Sequence, residues 1–79
     1  MTFQQLEYIV EISKCGSINK AAQKLFLSQS GISTAVRELE SELGIALLAR
    51  SNRGVEFTPV GKEFLSYAVS LLEQKRWIE

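Results

Sequence analysis

The stretch from Ser28 to Glu40 reads SQSGISTAVRELE. Wound as a helix, it places Ser30, Ser33, Thr34 and Arg37 on one face, with Gln29 at the entrance. That face carries small hydroxyls, one amide and one guanidinium, with no carboxylate and no bulky hydrophobe. Such a surface suits a polyanion with hydrogen-bonding edges. Short hydroxyls let a helix backbone approach a groove floor and can donate to or accept from base edges and phosphates. Gln29 has the geometry to pair bidentately with adenine. Carboxylates would be repelled by phosphate, and Glu38, Glu40 and Glu42 begin a turn later.

Other candidates lie near this segment. Ser17 and Ser28 sit where helices are expected to start, and free amides and the dipole there favour phosphate. Both suit a plain N-cap better still. Lys20 is either a phosphate contact or a solubilising charge. Arg50, Asn52 and Arg53 surround the turn SNRG. Arg53 at its tip would reach the backbone or a minor groove, while Arg50 has a rival use in pairing with a nearby Glu.

Catalysis finds little support. The chain has no histidine and one cysteine, so no His base is available and no four-ligand zinc site can be built. The glutamates lie singly along helix faces. No cofactor or metal is expected.

With 79 residues, the chain has room for one small domain. Its net charge is zero, from 9 basic and 9 acidic residues, which by itself argues against nucleic acid. The distribution argues the other way: Lys14, Lys20, Lys24 and Arg37 fall in a stretch from Ser13 to Arg37 that holds no acid. The lone Cys15 reads as a small buried hydrophobe in a reducing, cytoplasmic setting. No apolar run has the roughly 18 residues of a membrane span.

The elements that would position these residues follow from spacing and caps. Thr2 with Gln5 forms a capping box for a first helix, ended by Gly16. Ser17 opens a short second helix whose Ile18, Ala21, Ala22 and Leu25 face inward. The alanines there allow another helix to approach closely. Phe26 to Ser28 breaks the period, and a third helix runs to Leu43 and stops at Gly44. A helix, a tight turn and a second helix is the helix-turn-helix arrangement, in which the second helix enters the major groove. Two short β-prone runs flank SNRG as a hairpin. Thr58 and Pro59 open a fourth helix.

That last helix, from Pro59 to Glu79, would extend about 30 Å, longer than so small a domain needs. Its apolar stripe of Phe64, Leu65, Ala68, Leu71, Leu72 and Ile78 is expected to pack internally or to pair with the same helix of a second chain. Phe57, Phe64 and Tyr67 are expected in the core.

The elements "AA..L..SQ", "IS", "LE.ELG" and "R..RGV.FT..G" occur here in order, within GSINKAAQKLFLSQSGISTAVRELESELGIALLARSNRGVEFTPVGKEFL. This resembles the N-terminal DNA-binding domain of LysR-type transcriptional regulators. The resemblance implies a mainly α winged helix-turn-helix, three helices plus a two-stranded hairpin wing, over residues 1–58. A linker helix over 59–79 would pair in a homodimer. It further implies binding to interrupted palindromes in bacterial promoter DNA, commonly as dimers of dimers. A C-terminal effector-binding domain would lie in a longer chain and hold any small-molecule effector. The family's base- and phosphate-contacting positions fall on Gln29, Ser30, Ser33, Thr34 and Arg53. Two positions depart from the family pattern: Ser30 stands where proline is usual and Thr34 where arginine is frequent. The rival is a winged-helix module that binds protein only, which should expose hydrophobes on the third helix.

Overall fold

The computed structural model describes residues 1–51 and 54–79, and of Arg50 the backbone alone. Its order is α1 (Phe3–Cys15), α2 (Ile18–Leu25), α3 (Gln29–Leu43), β1 (Leu48–Ser51), β2 (Gly54–Phe57) and α4 (Pro59–Ile78). The expected helices, hairpin and long last helix are all present.

The helix ends form as the sequence dictates. Thr2 and Gln5 make the reciprocal capping box, at 3.1 and 2.9 Å. Ser17 and Ser28 each accept an amide of their own first turn, from Lys20 at 3.2 Å and Gly31 at 3.0 Å. Gly16 and Gly44 close α1 and α3 in the left-handed conformation that suits glycine. The cap of α2 is unusual. Phe26 takes the same region with φ of 58°, and its side chain is 94% exposed. A non-glycine residue there is strained by about 1 kcal/mol or more.

α1 packs against the other three helices, and α2 packs on α3. Ile9, Ile12, Ile18, Ala21, Ala22, Ile32, Val36, Leu39 and Leu47 form the core where they meet. Ala21 and Ala22 end at Cβ, which brings α2 close to its neighbours. Cys15 is only half-buried; its thiol donates to Glu11 Oε1 at 3.5 Å and packs against the core edge, so the expectation of full burial is corrected.

β1 and β2 pair antiparallel, with Leu48 opposite Phe57, Ala49 opposite Glu56, Arg50 opposite Val55 and Ser51 opposite Gly54. Two contacts fix this hairpin to the body. The Glu40 carboxylate accepts the amides of Leu47 at 2.7 Å and Leu48 at 3.2 Å. Thr58 Oγ1 donates to the Ala46 carbonyl at 2.6 Å while accepting the Gly61 amide at 2.9 Å. Gly61 is buried against the Leu47 carbonyl, which leaves no room for a Cβ.

α4 carries two adjacent apolar seams rather than one wide stripe. Gly61, Leu65, Ala68 and Leu72, spaced by four, three and four, lie on the body side, with Gly61 and Ala68 buried and Leu65 and Leu72 half-buried. Val60, Tyr67, Leu71 and Ile78 face outward, with Phe64 between the seams and packed against the core. Tyr67 is 61% exposed, which corrects its expected place in the core. It lies one position before buried Ala68, about 100° round the helix. Phe57 and Phe64 are half-buried against the core, as expected in kind.

Candidate nucleic-acid interface

α3 turns Ile32, Val36 and Leu39 into the core. The opposite face is consequently solvent-facing: Gln29, Ser30, Thr34 and Arg37 are exposed and Ser33 is half-buried at the edge. Three helix-buried hydrophobes thus hold five polar side chains on a rigid surface. Ser28 and Ser30 hydroxyls touch at 3.4 Å, and the Arg37 Nη2 donates to Thr34 Oγ1 at 3.4 Å. No large hydrophobe of α3 is exposed among the described residues.

The hairpin stands beside this face. Ser17, Ile18, Asn19, Gln29, Ser51, Gly54 and Val55 line one depression of about 270 Å³, so the starts of α2 and α3 meet the end of the hairpin where Ser51 pairs with Gly54. A second cleft, lined by Ser33, Arg37, Glu40, Leu48 and Val55 among others, separates α3 from the strands. The predicted contacts Ser17, Gln29, Ser33 and Arg37 are therefore gathered along the α3–hairpin junction. Arg50 has its backbone in β1 opposite Val55. Asn52 and Arg53 lie outside the described residues. Ser17 and Ser28 serve as caps, each spending one acceptor site within its own helix. Lys20 is exposed on α2.

Sequence reasoning missed Asn19. It is exposed in the first turn of α2, beside Gln29 at the rim of the depression. The position directly after buried Ile18 is the signal that marked it as outward. The basic stretch also needs correcting at Lys24. Its ammonium pairs with Glu11 of α1 at 3.1 Å, so this cation is partly neutralised. The Lys24 hydrogen bond holds the Glu11 carboxyl below the usual carboxylate range, and the same bond raises the lysine. Burial, then the Glu11 contact, pushes the Cys15 thiol up.

A three-helix body, a hairpin wing and a second helix of the helix-turn-helix whose outward face from Gln29 to Arg37 bears no carboxylate define a winged helix-turn-helix protein. Comparison with known proteins places it more narrowly. The family described as "Bacterial regulatory helix-turn-helix protein, lysR family" matches residues 3–62, and the chain belongs to that family. It is 41% identical over 73 residues to the HTH-type transcriptional regulator TcbR of Pseudomonas sp. (strain P51), covering 92% of this chain and 25% of TcbR. The crystal structure of a BenM_DBD/benA site 1 DNA complex superposes with a TM-score of 0.94 at 40% identity, covering 99% of this chain and 88% of that one. A CbnR_DBD-DNA complex superposes at 0.90 with 40% identity, covering 95% and 86%. The chain spans about a quarter of the length of the curated relatives it matches. Among the described residues no helix is long and apolar enough to cross a membrane.

Proposed function

We propose that this chain is the sequence-specific DNA-binding domain of a bacterial LysR-type transcriptional regulator. The observation that carries the reading is the exposed face of α3, where Gln29, Ser30, Thr34 and Arg37 stand outward with Ser33 at the edge and no carboxylate among them. α3 enters the major groove at Gln29, and the first-turn amides not used by the Ser28 cap face the phosphates. The hairpin lies over the flanking backbone or minor groove, with Arg53 as its contact. Lys20, Ser17 and Ser28, with Arg50 and Asn52 of the wing, are the further contacts of this reading. Lys20 contributes charge; Ser17 and Ser28 shape the helix starts that approach phosphate.

The outward seam of α4, Val60, Tyr67, Leu71 and Ile78, pairs with the same seam of a second copy. Its members are spaced by seven, four and seven, which matches the heptad period of a helix-pairing seam. Of the apolar stripe expected to pair, Leu71 and Ile78 serve this role, while Phe64, Leu65, Ala68 and Leu72 pack within the chain. The dimer spans an interrupted palindrome, and the full regulator assembles two dimers. A C-terminal domain holds any effector, and this domain itself works without a cofactor. Activity of this domain is binding, in the cytoplasm, without catalysis. The protein-only alternative needs exposed hydrophobes on α3, and that face offers polar groups instead.

The test is titration of labelled duplex by the chain at several salt concentrations. With about 6 phosphates neutralised per dimer, affinity falls roughly a thousandfold between about 50 and 200 mM salt. Affinity independent of salt would overturn the reading.

A further inference from the structure

Arg37 lies two helical turns beyond Gln29, where a helix that enters a groove by its N-terminus is already leaving the floor. Serine and threonine side chains are too short to bridge that gap, and a guanidinium on its three-carbon stem is long enough. Three features of the structure keep this guanidinium available. The Thr34 hydroxyl accepts one of its N–H groups at 3.4 Å, which tilts it along the exposed face and leaves most of its five donors free. Glu40, one turn on and lining the same cleft, gives its Oε2 to the Leu47 and Leu48 amides. Glu42 is engaged by the N-terminal ammonium at 2.6 Å. Among the described residues Arg37 makes no ion pair.

From this arrangement we infer that Arg37 is the guanine-reading residue of the domain, with Thr34 as its positioning residue. The planar fork presents two parallel donors, which match the O6 and N7 acceptors of guanine in the major groove. Thr34 limits the rotamers of the arginine before DNA arrives, so less freedom is lost on binding. The inference rests on the DNA-binding reading and adds to it a base, a residue and a division of labour.

The experiment selects bound duplexes from a random pool with the chain, with Arg37→Ala, with Arg37→Lys and with Thr34→Val, and compares base preferences position by position. The parent chain selects sites with guanine fixed at one position of each half-site. Arg37→Ala loses that preference, by roughly 10-fold or more in guanine discrimination, and keeps the others. Arg37→Lys retains the charge yet loses most of the discrimination, because an ammonium lacks the fork. Thr34→Val keeps the side-chain shape without the acceptor and weakens the guanine preference several-fold, a change that simple loss of stability would not confine to one position. An Arg37→Ala pool with the parent's base preferences and uniformly weaker binding would make Arg37 a phosphate contact and overturn the inference. Parent-like guanine preference in Thr34→Val would remove Thr34 from it. A parent chain that enriches no sequence sinks the DNA-binding reading itself, and the inference with it.

Discussion

The Glu40 carboxylate, on the last turns of α3, accepts the Leu47 backbone amide at 2.7 Å, just before the first strand of the wing. Glu40 is half-buried and Leu47 fully buried, so the bond is shielded from competing water. It ties the recognition helix to the wing, and the angle between those two elements decides whether both can touch one duplex.

Glu40→Ala leaves the buried Leu47 amide without an acceptor. An unpaired buried donor that had a charged partner costs about 2–3 kcal/mol. Urea denaturation should show that loss. Glu40→Gln, which keeps an acceptor oxygen, should recover part of it. Equal stability of Glu40→Ala and the parent would show that the wing is held by other contacts.

Gly61→Ala tests the close approach of α4 to the Leu47 carbonyl. By helix propensity alone the change should stabilise by up to about 1 kcal/mol. The Cβ, however, would meet backbone that cannot move aside as a flexible side chain could. The net result should be destabilisation of roughly 1–3 kcal/mol, measured by thermal or urea unfolding. A gain in stability would contradict the packing described.

The Glu11–Lys24 pair makes stability pH-dependent at both ends of the scale. Glu11 titrates below its ordinary range in the fold. Its contribution is therefore present above the ordinary glutamate pKa of about 4.3 and fades as pH falls through the lower folded value. Lys24 titrates above its ordinary range, so its contribution is present below about pH 10.4 and fades as pH rises through the folded value. Lys24 is well exposed, so the effect is small and salt-sensitive. Lys24→Met should flatten the fall in urea midpoint on the acid side relative to the parent. An unchanged acid limb would mean that other carboxylates carry it.

The two seams of α4 should separate by mutation. Leu71→Glu should abolish self-association in sedimentation while leaving the unfolding free energy of the monomer unchanged. Leu72→Ala should lower stability by roughly 1–2 kcal/mol, less than the range for a fully buried leucine, since Leu72 is half-buried beside α1. Loss of association by Leu72→Ala alone, with Leu71→Glu silent, would reverse the assignment.

Most of the architecture was legible because local signals agreed with one another. Caps at Thr2, Ser17, Ser28 and Thr58 and left-handed glycines at positions 16 and 44 are one-residue devices with fixed consequences. The polar face of α3 was readable for the same reason: the period that buries Ile32, Val36 and Leu39 forces the remainder outward. Tertiary relationships were harder to read. Period alone gave α4 one broad stripe, since Leu71 and Leu72 differ only in which neighbour each meets. Lys24 looked like a free cation because Glu11, 13 positions earlier, comes near only when α1 and α2 pack. The tether from Glu40 and the tight fit of Gly61 both involve the Leu47 backbone, which no side-chain pattern advertises.

The central claim is that the outward face of α3 is the surface that meets duplex DNA. Amide chemical-shift mapping of the isotopically labelled chain during titration with a selected duplex tests it most directly. Large shifts should cluster at Gln29, Ser30, Ser33, Thr34 and Arg37, with a second group at Ser17, Asn19 and the hairpin. The outward seam of α4 around Tyr67 and Leu71 should respond little. Shifts confined to α4 or to the exposed side of α1, with the α3 face unmoved, would contradict the account.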